Sequence, residues 1–270
     1  MTSVSIFGVG LIGGSFALAL REAGFQGTIV GVSSPTTIEK AIALRVIDRG
    51  ATLEEAAKAD LVFLAQPISV ILETIEKLAP HLGSGSIVTD AGSTKVAIVE
   101  RAAKHLPAGQ FVGGHPMAGK EVTGVAAADA NLFRNRPWIL TSRGDAANRI
   151  LPWIEAIGAK PAWFDAAEHD RTVALTSHVP QFLSTALALA LADEKRAPEI
   201  AGPGVADMTR LAMSSPDLWR DIALTNLDNI EAGMERFLLH LQNLRQDLRS
   251  QQLEAPFQKA SLSAKQLRKY

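Results

Sequence analysis

One glycine run and three segments bearing histidine or hydroxyl groups carry the residue types that can do chemistry. The chain opens with an apolar pattern through Val4 and Ile6. It then places Gly8, Gly10 and Gly13 at G-x-G-x-x-G spacing and continues in a helical pattern through Phe16, Leu18 and Leu20. Between a strand and a helix each glycine has a task in a dinucleotide site. Gly8 makes the tight turn, Gly10 lets the backbone approach a pyrophosphate, and Gly13 lets helix and strand pack closely. The helix that follows aims its first free N–H groups, around Leu11 and Ile12, and its positive dipole end at the phosphates. In Gly113-Gly-His-Pro-Met-Ala-Gly119, His115 sits between glycines and a proline just past a strand. Core packing explains such a histidine poorly, and histidine is the natural base near neutral pH. Thr89-Asp-Ala-Gly-Ser-Thr-Lys95 follows a strand end, where open α/β sheets place their ligands. Ser93 there can hydrogen-bond a substrate hydroxyl or a nicotinamide, or simply cap the helix running through Lys95 and Val99. Ser177-His-Val-Pro-Gln181 opens an apolar helix, and His178 taken alone reads as a packed or capping histidine.

The elements that must position these groups fall into two kinds. Up to about residue 165, short apolar strands alternate with amphipathic helices. Strands are predicted at Thr28–Val32, 61–65, Ile87–Asp90, Phe111–Val112 and 138–141, with helices at 38–46 and Ile68–Leu78. Gln66-Pro67 follows the second of these strands and belongs to the cofactor side of the sheet. That alternation predicts an α/β fold with a Rossmann-type, doubly wound and mostly parallel sheet over residues 1–165. From residue 166 the strand signals stop, and helical patterns at 170–191 and 216–248 predict an all-α domain over residues 166–270. Its apolar stretch through Leu183, Leu187, Leu189 and Leu191 exceeds what a small lone bundle would expose, and predicts a homodimer packed through these helices. The polar tail after Gln251 is expected to fray.

Bulk properties restrict the function class. The chain has 270 residues, 47% hydrophobic and 20% charged, with a formal net charge of −1 and no cysteine. A sizeable core is expected, with no electrostatic grip on nucleic acid or membrane surfaces, and disulfides and thiolate metal sites are excluded. The apolar run 182–192 is about half of the ~20 residues a membrane span needs. No signal-peptide pattern precedes the first strand, and a cytoplasmic location is the expectation.

Cofactor choice rests on the end of the second strand. NAD sites place an acid there, about 20 residues past the glycines, to bond the ribose hydroxyls. This chain has Ser33-Ser34-Pro-Thr-Thr37 instead. Ser33, Ser34 and Thr37 would tolerate a 2′-phosphate that a carboxylate would repel, with Lys40 as the nearest cation. NADP is favoured, with NAD as the alternative.

Together with the Gly8–Ser15 stretch, the segments Asp90-Ala-Gly-Ser-Thr-Lys95, Gly113–Gly119, Glu168-His-Asp170, Ser177-His-Val-Pro180, Asp207-Met-Thr-Arg-Leu-Ala212 and Trp219-Arg-Asp221 resemble the prephenate/arogenate dehydrogenase family of tyrosine biosynthesis, in order over roughly residues 4 to 230. The resemblance implies a Rossmann domain joined to a helical dimerisation domain, with the active site between them. It also implies oxidative decarboxylation of a cyclohexadienol, in which hydride leaves the carbinol carbon for NAD(P) and the ring carboxylate departs as CO2. On that implication His115 is the base, and Ser93 holds His115 or the substrate hydroxyl. Arg210 pairs with a substrate carboxylate, which suits a guanidinium fork. His178 lines the substrate pocket, Trp219 shapes it, and Asp207, three residues before Arg210, orients that arginine. Lys120 stands where the family's small hydroxyl residue is expected, and its charge, beside Glu121, would help bind a dianionic substrate. An acid near the substrate side chain, from Asp193 or Glu194 if the helix end folds back, would favour the ammonium of arogenate. The missing acid after strand two associates with NADP-linked arogenate members.

Other groups have plainer readings. His81, His105 and His240 lie on polar helical stretches and are expected to face solvent. Glu168-His169-Asp170 offers groups for a metal or a proton relay, but its plainer reading is a helix start, with Glu168 and Asp170 favourable to its dipole. No metal-ligand spacing is present. A β-hydroxyacid dehydrogenase or pyrroline-carboxylate-type reductase would share the architecture, but the former uses a lysine on the helical domain, and none lies between Lys160 and Lys195. A dinucleotide-sensing regulator without turnover would have no use for His115 opposite a carboxylate-binding arginine.

Overall fold

A computed structural model describes residues 1–120 and 122–268. Six strands, β1 (Ser3–Phe7), β2 (Thr28–Val32), β3 (Arg49–Gly50), β4 (Leu61–Leu64), β5 (Ile87–Asp90) and β6 (Phe111–Val112), form one parallel sheet. Its order, β3-β2-β1-β4-β5-β6, is the doubly wound arrangement, and it reverses direction between β1 and β4, where such folds bind ligands. β4 is buried at all positions and β1 at all but Ser3, as parallel strands covered on both faces require. The crossovers are α1 (Leu11–Glu22), α2 (Pro35–Ala43), α3 (Leu53–Ala56), α4 (Ile68–Leu78) and α5 (Val96–His105).

A second sheet, not expected from the sequence, contains β7 (Gly114–Pro116), β8 (Pro137–Leu140) and β9 (Lys160–Trp163), with α6 (Asp145–Ala156) between the last two. The strand expected at 138–141 belongs here. β7 runs antiparallel and β9 parallel to it, so the sheet is mixed. β7 and β9 each carry a proline, which an edge strand tolerates and which hid both from a pattern search. Phe16, Phe63, Phe133 and Trp138 weld the two sheets, with neighbouring ring centroids 4.4–6.0 Å apart.

Beyond Trp163 the chain is helical: α7 (Ala166–Val173), a π turn (Ala174–His178), α8 (Val179–Ala192), α9 (Ala197–Ile200), α10 (Pro203–Thr209), a 3₁₀ turn (Arg210–Met213), α11 (Pro216–Ser250) and α12 (Glu254–Leu267). The tail after Gln251 is therefore helical rather than frayed. Glu254 in its first turn and Lys265 in its last suit the α12 dipole, and Pro256 falls in the first turn, where a missing N–H costs nothing. Pro180 likewise cannot donate to the carbonyl of Thr176, and the ladder widens into the π turn just there.

α7, the π turn and α8 run on as one helix, Ala166–Ala192, of 27 residues, with an 18-residue window of mean hydropathy 1.2, long and apolar enough by length and composition to cross a membrane. The sequence had suggested a helix over 170–191, with its apolar run confined to 182–192. The first half of the helix buries His169 and Asp170 against the sheet half and His178 against α11, a polar face that lipid could not satisfy.

Two carboxylates of the helical half cap helices of the sheet half. Asp221 on α11 accepts from Ser69 N at 2.8 Å and Ser69 Oγ at 2.7 Å, at the start of α4. Asp170 on α7 accepts from Lys95 N at 2.7 Å and Val96 N at 2.9 Å, at the start of α5. The N-termini of α4 and α5 have no side-chain cap of their own, so each borrows one across the interface.

Candidate active site

The groove at the β1/β4 switch point encloses about 320 Å³ and is lined by Gly8, Gly10, Ser33, Thr37, Gln66 and Pro67 among others. Gly8 has φ +87°, a left-handed turn that favours glycine. A Cβ on Gly13 would collide with the Gly8 carbonyl oxygen and with Ile6, which is the close helix–strand packing expected of that position. α1 starts at Gly10 without a side-chain cap and without an acid in its first turn, so the N–H groups of Leu11 and Ile12 are among those left for an anion. A Cβ on Gly10 would meet nothing within 4 Å, because it would project into the groove. This cradle fits a pyrophosphate. Gly10→Val should therefore leave the melting temperature unchanged yet raise the dinucleotide Kd at least ~10-fold, about 1.4 kcal/mol. A fluorescence titration checks it, and an unchanged Kd would mean that the phosphates do not pass Gly10.

Ser33 and Thr37 face the groove, whereas Ser34 is used locally. Its Oγ accepts from Thr37 N at 3.4 Å as the cap of α2 and bonds Thr37 Oγ1 at 2.9 Å. Gln66 is held by Thr74, whose Oγ1 donates to Gln66 Oε1 at 3.0 Å. No acidic residue lines the groove among the described residues, and Gly124, not anticipated from the sequence, does.

The candidate catalytic groups gather where β5 and β7 meet the helical half. Asp90 and Lys95, both with fully buried side chains, form an ion pair beneath the β5–α5 turn. Lys95 Nζ also donates to the Gly114 carbonyl at 2.7 Å, while Asp90 accepts from Gly92 N at 2.8 Å and Gly114 N at 3.0 Å. This pair fixes the residue just before His115. Burial pushes the Lys95 amine down, and the Asp90 carboxylate opposes that shift. Ser93, half-buried on the same turn, makes no hydrogen bond among the described residues, so its hydroxyl is available in the cleft. It does not cap α5, since Asp170 does.

His115 is 8% exposed. Its Nδ1 lies 2.8 Å from His169 Nε2, and His169 Nδ1 lies 2.7 Å from Asp170 Oδ1. His169 and Asp170, read chiefly as a helix start in preference to a proton relay, are buried partners of the candidate base, and Glu168 alone of that triplet stays exposed. They fell on the buried face because Val173 and Ala174 share it at helical spacing. Desolvation, followed by the charges of His169, Lys95 and His178, holds the His115 pKa well below 6.5, so its ring is neutral near pH 7. His115 Nε2 makes no hydrogen bond among the described residues and is not sealed from solvent.

His178, at the end of the π turn, is buried, and desolvation lowers its pKa to about 4. Asn226 Nδ2 donates to the Asp170 carbonyl at 2.8 Å, which fixes that amide's orientation, and reaches His178 Nδ1 at 3.2 Å. Nδ1 must then accept, and Nε2 carries the proton as a buried donor with no partner among the described residues. Trp219 stacks edge-on against His178 at 5.8 Å, and its own buried Nε1 is also without a partner. Two unspent donors side by side suit a ligand rich in acceptors. Asn226 takes up non-helical φ/ψ (−142°, 28°) within α11 in making these bonds.

The remaining expected residues are placed differently. Arg210 is exposed on the 3₁₀ turn, which Gln181 and Ser184 dock onto the His178 end of α8 through Leu211 O at 2.8 Å and Ala212 N at 3.0 Å. Asp207, on α10, is exposed. Lys120 is not a free cation: it pairs with Asp129 at 2.8 Å, and that hydrogen bond lowers the Asp129 carboxyl. Glu121 lies outside the described residues. α8 runs unbroken to Ala192, so Asp193 and Glu194 sit at its far end, about 20 Å along the axis from His178. His81 and His240 are exposed as expected, but His105 is half-buried beside Glu76 at 3.3 Å.

Family models described as the nucleotide-binding domain and the dimerization domain of prephenate dehydrogenase match residues 16–160 and 165–260. A prephenate dehydrogenase of Lactococcus lactis is 36% identical over 253 residues, spanning 90% of this chain and 70% of that protein. The solved prephenate dehydrogenase of A. aeolicus, in complex with hydroxyphenyl propionate and NAD+, superposes with a TM-score of 0.92 at 32% identity, covering 99% of this chain and 98% of that one. Synechocystis arogenate dehydrogenase gives 0.85 at 34% identity, covering 98% of this chain and 99% of that one.

Proposed function

The chain belongs to the prephenate/arogenate dehydrogenase family, a group of NAD(P)-dependent oxidoreductases, and from that premise we propose that it oxidatively decarboxylates arogenate in preference to prephenate, with NADP. The observation that carries the reading is His115, a buried neutral imidazole with one ring nitrogen hydrogen-bonded and the other open to the cleft. The bound nicotinamide supplies the hydride acceptor. His115 Nε2 takes the proton of the substrate hydroxyl as the carbinol carbon becomes a carbonyl, and returns it once loss of CO2 has made the ring aromatic. Ser93 holds that hydroxyl in line, and the Nε2–H of His178 and the indole N–H of Trp219 offer donors to the substrate's acceptor groups. Arg210 receives a substrate carboxylate.

Because the His115 pKa is depressed, the ring stays unprotonated at pH values where an ordinary histidine would already be charged. The acid limb of kcat/KM should therefore lie well below pH 6.5, and a limb at or above 6.5 would assign the titration to another group. Arg210→Gln should mainly raise KM for the substrate, since its pairing is present in both ground and transition states. An unchanged KM would return Arg210 to the surface.

The hydroxyl-lined, acid-free end of the groove at Ser33 and Thr37 supports NADP, and that cofactor preference supports arogenate. The test is reduced-nicotinamide absorbance with prephenate or arogenate against NAD+ or NADP+. The strongest of the four combinations identifies the pair, and silence in all four removes the activity. We also propose a division at 165/166, the cytoplasm as compartment, and a homodimer through the helical half. Leu189, Met213, Leu224 and Leu239 of that half are exposed large apolar side chains, which supports their burial against a second copy.

A further inference from the structure

We propose that His169 and Asp170 are positioning residues that hold the His115 ring in the tautomer protonated on Nδ1, which leaves Nε2 as the atom receiving the hydroxyl proton. The inference rests on His115 being the base and deepens that reading. A carboxylate can only accept hydrogen bonds, so Asp170 Oδ1, 2.7 Å from His169 Nδ1, requires the proton on that nitrogen. A neutral His169 then presents Nε2 as an acceptor, and His115 Nδ1, 2.8 Å away, must donate. The lone pair of His115 is thereby placed on Nε2, the nitrogen with no hydrogen bond among the described residues.

A doubly protonated His169 would reverse the polarity and give His115 the opposite tautomer. It would also add a cation to a buried cluster that already holds the Lys95 ammonium. The single charge of Asp170 is already shared with Lys95 and His178, and its two oxygens accept Lys95 N and Val96 N at the positive end of α5. These backbone bonds fix the carboxylate, the carboxylate fixes the His169 ring, and the ring fixes His115. Base and orienting pair lie on opposite halves of the molecule, His115 on β7 and His169 and Asp170 on α7.

The test uses the full-length protein labelled with ¹⁵N-histidine and saturated with dinucleotide. A long-range ¹H–¹⁵N correlation spectrum distinguishes protonated from unprotonated ring nitrogens, and the His115 signals are identified by their loss in His115→Asn. The expected spectrum has His115 protonated on Nδ1 and bare on Nε2; the reverse pattern overturns the proposal whatever the activity. In turnover, His169→Leu should lower kcat at least ~10²-fold, the scale of a misaligned general base, with substrate KM and dinucleotide Kd within about twofold of the parent. His169→Gln, whose amide oxygen can still accept from Nδ1, should recover at least about tenfold of that loss. Equal impairment of the two variants overturns the positioning role. If His169→Leu fails to fold, the spectrum of the unsubstituted protein still decides. The expected tautomer together with silence in all four substrate and cofactor combinations would sink the proposed activity and leave the tautomer assignment standing.

Discussion

His115→Asn lowers kcat by at least ~10²-fold, the usual contribution of a positioned general base, and leaves dinucleotide binding unchanged. Asparagine is the informative choice. Its amide nitrogen can still donate toward His169 Nε2, so the 2.8 Å contact and the burial around it survive while the proton acceptor is lost. The depressed pKa of His115 sharpens the expectation, because the parent ring is in its working form throughout the neutral range and the variant has no pH at which to recover. Stopped-flow single turnovers separate this from a defect in product release. Near-parental single-turnover rates would remove His115 from the chemistry.

Lys95→Met should cost about 3–5 kcal/mol of folding stability, the range found when one member of a buried ion pair is deleted. The side chains of Lys95 and Asp90 are fully buried, so the stranded carboxylate has no water to turn to and keeps only the N–H groups of Gly92 and Gly114. The carbonyl of Gly114 also loses its donor, one residue before His115. Urea unfolding measures the change. Adding Asp90→Asn to the variant should restore part of the loss, since a neutral amide needs no counter-charge. A cost below about 1 kcal/mol would show that methionine packing compensates for the pair.

Much of the nucleotide-binding half was legible in the sequence because its signals are local. Gly8, Gly10 and Gly13 are read from spacing alone, and β4 announces itself as an unbroken apolar run from Leu61 to Leu64. His115 was legible because little else explains a histidine set between glycines and a proline. The rest depends on contacts distant in sequence. His169 and Asp170 carry the same local signature as an ordinary helix start, and only their phase with Val173 and Ala174 hinted that they turn inward. In the sequence Lys95 reads only as one residue of the helix after Ser93, and Asp90 and the Gly114 carbonyl, which close around it, give it its buried role. Ser93 was weighed as a cap without regard to Asp170, which lies 75 residues beyond Lys95 and does the capping from the other half. β7 and β9 are short and interrupted by proline, so pairing with β8 rather than propensity makes them strands.

The borrowed cap of α5 gives the molecule a built-in clock. The amide hydrogens of Lys95 and Val96 are bonded to a carboxylate belonging to the opposite half, so they can be traded for deuterium only while the two halves are apart. Their labelling times count openings of the cleft, separately from the fraying of α5 itself, and each opening they record is an interval in which the base has lost its orienting partner.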